Sequence, residues 1–152
     1  MRLSISQFAR NTRGAVLAEA AIALPVIVLL LSATAEFGRY MYTYNTLAKA
    51  TRVSARHISN KPLNSCNIAQ MKNLAVYGNT AGTGSPILPG LTTSQITVTP
   101  TSGTPTTVTV SVTGYNYTTL FSMYPVNSLN NIAVSPSTQI RYLMTATVIG
   151  GC

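Results

Sequence analysis

The chemistry open to this chain is set by its ionisable groups: two Asp/Glu against ten Lys/Arg, with one His and two Cys in 152 residues. Glu19 stands out among them. It lies in the run from Ala15 to Ala35, whose other polar residues are Ser32 and Thr34. A carboxylate inside so apolar a segment is costly and marks a functional group in need of a partner. A charged α-amine would serve, and cleavage after Gly14 would create one at Ala15, four residues before Glu19. The alternative is that Glu19 sits at the edge of the apolar medium and is solvated there.

The remaining groups argue against catalysis. Beyond Glu36 there is no Asp or Glu, which excludes paired-carboxylate hydrolysis in that region. His57 is the sole histidine, and with no acid to orient it a Ser-His-Asp triad is excluded too. It reads more simply as a helix-surface or packing residue. Gly78, Gly82 and Gly84 lack the following Lys-Ser/Thr of a phosphate loop. Two cysteines and one histidine do not make a structural zinc site. No catalytic residue, metal or cofactor is therefore expected. The formal charge of +8 comes from missing acids more than from a basic cluster, so nucleic acid is not an expected partner. Cys66 and Cys152 are either two unpaired thiols or a disulfide formed in an oxidising compartment. Pairing would close a long loop worth about 4–5 kcal/mol in the chain-entropy account.

The elements that must carry these residues follow from periodicity. Residues 1–14 form a short basic segment ahead of the apolar run. That run is long enough to cross a bilayer, for which about 20 apolar residues suffice. It is long enough to span, unlike the shorter apolar core of a secretory signal peptide, so it reads as retained. Basic residues ahead of it favour a cytoplasmic N-terminus, although Arg39, Lys49 and Arg52 lie close on the other side. Pro25 predicts a bent but continuous helix. Beyond the run, Phe37, Tyr40, Met41, Tyr44, Leu47, Ala48, Thr51, Ala55 and Ile58 recur with helical period. One helix is thus expected over 15–59, its second half laying that face on a folded head of residues 60–152. Tyr40, Tyr42 and Tyr44 suit either a membrane-interface belt or core packing.

Asn60-Lys61-Pro62 ends the helix. Residues 66–77 predict a short amphipathic helix capped by Gly78, and 79–94 a loop. From Gln95 the period becomes two. Ile96 and Val98, then Val108, Val110 and Val112, then Ile140, Tyr142, Met144, Ala146 and Val148 predict three strands. A turn at Pro100 to Pro105 joins the first two. Residues 118–137 show no period and fit a surface loop carrying a further short strand; Asn116-Tyr117-Thr118 reads as a strand end. The fold class is α+β: a long N-terminal transmembrane helix extending into a small antiparallel-sheet head with one further short helix.

Gly14, four small or apolar residues and Glu19, leading into an apolar helix, resemble the processing site of type IV pilin-like precursors. Leu24-Pro25, Glu36-Phe37-Gly38-Arg39, Tyr42, Tyr44-Asn45, Leu47, Ala50, Arg52 and Ala55-Arg56 resemble the TadE-like family. These are minor pilins, or pseudopilins, of the bacterial tight-adherence (Tad/Flp) pilus. The likeness covers roughly the first 60 residues; the remainder is similar only in general plan. It implies a structural subunit made as a precursor and cut between Gly14 and Ala15 by a prepilin peptidase. It also implies an inner-membrane anchor, pilin subunits and an assembly platform as partners, and roles in adhesion and biofilm formation. The head would be periplasmic, or at the pilus surface after assembly. The competing reading is a membrane-anchored envelope adhesin that never enters a filament.

Overall fold

The structure, a computed structural model of the chain, describes residues 12–101, 106–120 and 131–143. The basic segment before Thr12 lies outside them. The chain divides into two units, Met1–Gly38 and Arg39–Cys152. Helix α1, Thr12–Ser59, contributes to both.

In the first unit the apolar residues of α1 are exposed on every face; Ile22, at 73%, is among the barest. A helix apolar all round needs an apolar environment, and none of the described residues provides one here. Among the described residues, one helix is long and apolar enough to cross a membrane, with a mean hydropathy of 2.5 over its most apolar window and 0% of that window buried. That lack of burial sets it apart from the core helix of a globular protein. Pro25 lies inside the helix and cannot donate to the Ala21 carbonyl. The two hydroxyls of the run are bonded within the helix: Ser32 Oγ donates to Val28 O at 2.7 Å and Thr34 Oγ1 to Leu30 O at 2.9 Å.

The second unit forms around the C-terminal half of α1. Its buried residues are Thr43, Leu47, Thr51, Ser54, Ala55, Ile58 and Ser59. Of the face expected from hydrophobicity, Leu47, Thr51, Ala55 and Ile58 are buried, whereas Phe37, Met41 and Tyr44 are exposed and the small hydroxyl residues Thr43, Ser54 and Ser59 are buried as well. Two of these hydroxyls are satisfied within the helix: Thr51 Oγ1 donates to Ala48 O at 3.0 Å and Ser59 Oγ to Arg56 O at 2.9 Å. Of the tyrosines, Tyr40 packs against the core, whereas Tyr44 does not.

Helix α2, Ser65–Tyr77, begins where Asn64 accepts the Asn67 amide at 2.8 Å. It ends at Gly78, whose φ of 74° permits the left-handed cap and whose N–H reaches Leu74 O. The loop that follows folds around Asn79, whose Oδ1 accepts from the amides of Gly82 and Thr83. Gly82 fits because a Cβ there would stand 2.8 Å from the Asn73 side chain.

After a 3-10 turn at Thr93–Gln95, strands β1 (Ile96–Thr101), β2 (Thr107–Val112) and β5 (Ser137–Arg141) make an antiparallel sheet in the order β1-β2-β5. The short strands β3 (Asn116–Tyr117) and β4 (Ile132–Ala133) pair separately. The turn between β1 and β2 falls largely outside the described residues. Central strand β2 alternates, burying Val108, Val110 and Val112 completely, each worth about 1.5–3 kcal/mol. Val98, Val110 and Thr138 share one row of the sheet. On that face Thr138 meets Thr51 of α1, hydroxyl to hydroxyl, at 2.9 Å. Strand β5 starts before the expected third strand; Met144, Ala146 and Val148 lie outside the described residues. Beyond it, Tyr142 donates through its hydroxyl to Lys61 O and Leu143 through its amide to Ser59 O, closing over the end of α1. The architecture is the expected α+β one.

Candidate functional site

Gly14, Ala15 and Glu19 all lie in the first turns of α1 and all are exposed. Ala15 and Glu19 are four apart, and so share one side of the helix. Gly14 has open space where a Cβ would be, with nothing within 4 Å. Its place near the helix start matters: the first amides of a helix have no intrahelical acceptor, and glycine is a poor helix former. The Gly14–Ala15 bond is therefore at the point of α1 that unwinds at least cost.

Cys66 is half-buried at the start of α2. Cys152 lies outside the described residues. His57 is also half-buried; its Nε2, like Ser54 Oγ, is buried with no hydrogen-bond partner among the described residues. Burial, with a smaller contribution from the Lys61 charge, lowers the His57 pKa below its ordinary value of 6.5. The imidazole is thus held towards its neutral form.

Two features of the second unit were not legible as sites in the sequence. The first is a cleft of about 500 Å³ where α1 meets the Leu88–Gly90 turn and the Gly114–Thr118 segment. Arg39 lies with its guanidinium carbon 5.5 Å from the centre of the Tyr117 ring, and Tyr40 meets that ring edge-on at 5.6 Å. Gln95 braces the wall, accepting from the Thr92 amide and donating to Gly114 O, both at 3.0 Å. Tyr115 donates to Pro89 O at 3.3 Å, and burial raises its pKa. Among the described residues no carboxylate lines this cleft, which presents a cation, amides and hydroxyls. Arg39 and Tyr117 are far apart in sequence, and no local spacing signals their meeting. The second is an apolar groove between α1 and α2, lined by Thr46, Lys49, Ala50, Val53, Leu74, Gly78 and Ile87.

Comparison with known proteins bears on α1. Residues 14–56 match the family model described as TadE-like protein. The match begins at Gly14, takes in Ala15, Glu19 and Pro25, and ends at Arg56. It falls on the stretch whose residues carry the resemblance, and does not extend to α2 or the sheet. No curated protein and no solved structure matches the chain.

Proposed function

We propose that this chain is a pilin-like subunit of a Tad-type adhesion pilus, with the part of a minor pilin or pseudopilin in filament assembly. The observation that carries the reading is the TadE-like match starting at Gly14, on an apolar helix that its own chain leaves uncovered. A pilin subunit needs two successive apolar surroundings for such a helix: lipid before assembly and neighbouring helices after it. In this reading residues 1–14 are a cytoplasmic leader, α1 is the single inner-membrane anchor, and the head is periplasmic until the subunit joins or primes a filament. A prepilin peptidase cuts between Gly14 and Ala15, and Glu19 then sets axial register by meeting an Ala15 α-amine. The partners are other pilin subunits and the assembly platform, with adhesion and biofilm formation as the outcome. The chain has no catalytic role, cofactor or nucleic-acid partner in this scheme.

The test is mass spectrometry of the mature protein from cell envelopes. An N-terminus at Ala15 is expected; an intact Met1, or a cut beyond Ala35, overturns the processing scheme. Loss of surface filaments on deletion of the gene, restored by the wild-type chain, separates this reading from a free-standing envelope adhesin, whose deletion would leave filament number unchanged.

A further inference from the structure

The outer side of α1 in the second unit is strongly one-sided in charge. Lys49, Arg52 and Arg56 are exposed and lie opposite the buried Leu47, Thr51 and Ile58. Among the described residues, none of the three side chains has a hydrogen bond or ion pair. Val53 stands among them and is 55% exposed. Beside it runs the apolar groove, about 310 Å³, whose opposite wall is Leu74 of α2 and Ile87 of the following loop, with Lys49 among its lining residues.

We propose that this face docks an acidic, amphipathic segment of a partner protein, which lays an apolar side chain into the groove and sets carboxylates against Lys49, Arg52 and Arg56. The groove's volume is near the lower bound for ligand pockets, so it suits a large side chain better than a cofactor. A helix or strand carrying apolar anchors flanked by acids matches both features at once. Charge decides against a second copy of this head. Of the ten Lys and Arg, only Arg2, Arg10 and Arg13 precede residue 39, leaving seven from Arg39 onward with no Asp or Glu. Two such heads repel, and like charges facing each other across an interface are strongly disfavoured. The acid must come from a different chain. This goes beyond a role in filament assembly and stands or falls without leader cleavage.

The probe is a fluorescein-labelled amphipathic peptide with a Leu face and Glu on its remaining positions. It is titrated into the full chain held in phosphatidylcholine nanodiscs, with empty nanodiscs as reference. Saturable binding that weakens with salt is expected. Peptides with Glu→Gln or Leu→Ser throughout should each bind at least about tenfold more weakly, since both charge and apolar anchor contribute. On the protein side, Arg52→Glu with Arg56→Glu, and separately Val53→Gln, should weaken the original peptide about five- to tenfold or more; the urea midpoint should stay unchanged for Val53→Gln and fall slightly for the Arg pair, because a carboxylate at Arg56 in the last turn of α1 opposes the helix dipole. Equal binding of the Leu→Ser peptide overturns the proposal in favour of charge alone. Tight binding to phosphatidylglycerol vesicles that Val53→Gln leaves intact, with no peptide binding, overturns it in favour of a lipid surface. Peptide binding indifferent to all the substitutions places the contact elsewhere and also overturns it.

Discussion

The hydroxyl pair between α1 and β5 gives a sharp test of how the helix is fixed to the sheet. Thr51 is fully buried, and its one proton is committed to Ala48 O at 3.0 Å. The 2.9 Å contact with Thr138 therefore has Thr138 as donor. Replacing Thr51 by Val keeps the shape but leaves the Thr138 hydroxyl with no acceptor. An orphaned polar group costs about 1–3 kcal/mol when buried; Thr138 is only half-buried, so the lower end, about 1 kcal/mol, applies. Thr138→Val removes the donor, but the Thr51 proton is still bonded to Ala48 O, so the cost stays under about 1 kcal/mol. Replacing both residues by Val removes the pair and leaves no orphan, which is nearly neutral. The cycle should thus give a coupling of about 1–2 kcal/mol, well outside additivity error. The assay is urea unfolding of the full chain in nanodiscs, followed by the β-sheet signal of the head. At an m-value of about 1–3 kcal/mol/M, Thr51→Val lowers the midpoint by about 0.3–1 M, and the second substitution restores most of it. Additive losses, with the double variant the least stable of the three, would refute the assigned donor and the view that this contact joins helix to sheet.

Three further outcomes are expected. Glu19→Ala and Glu19→Gln should leave precursor processing and membrane insertion intact while reducing surface filaments; gel shift and filament counts in a deletion strain check this, and normal piliation in both means that Glu19 is merely solvated. Cys66 and Cys152 should be joined in protein taken from the cell envelope, and non-reducing peptide mapping that recovers both thiols free refutes it. For His57 the folded pKa lies below the unfolded value, so the unfolded chain binds more protons as pH falls through about 6.5. Stability should decline from pH 7.5 towards the folded pKa and level off below it. His57→Gln should flatten that part of the urea-midpoint profile, and an identical slope in the variant would show that His57 is not its source.

Long-range periodicity made α1 and the three-stranded sheet legible. An apolar run with no polar face has few solutions, and the valines of β2 at every second position fix both the strand and its inner face. Gly78 ended α2 for a reason visible locally, namely its ability to adopt positive φ. The inner face of α1 was misread at Met41 and Tyr44 because hydrophobicity ranks them above Thr43 and Ser54, whereas the small side chains are the ones buried there. Strands β3 and β4 are too short for alternation to register, yet β3 falls on the expected strand end at Asn116-Tyr117 and β4 within the 118–137 segment expected to carry a further short strand. The Gly14–Glu19 motif was readable because its residues are neighbours. The Arg39–Tyr117 cleft and the groove beside Val53 were not, since each is assembled from segments that meet only after folding.

The internal bonding of Ser32 and Thr34 has a consequence for how α1 changes surroundings. Their hydroxyls need nothing from outside the helix, so the span from Leu24 to Ala35 presents the same dry hydrocarbon surface to acyl chains and to protein. Lipid tails are as apolar as leucine, so there is little hydrophobic gain in leaving one for the other. Over this span, transfer between bilayer and helix bundle is close to isoenergetic, and fit between surfaces tips the balance. A helix of that kind would move either way under a small bias, as the proposed passage from membrane to filament requires.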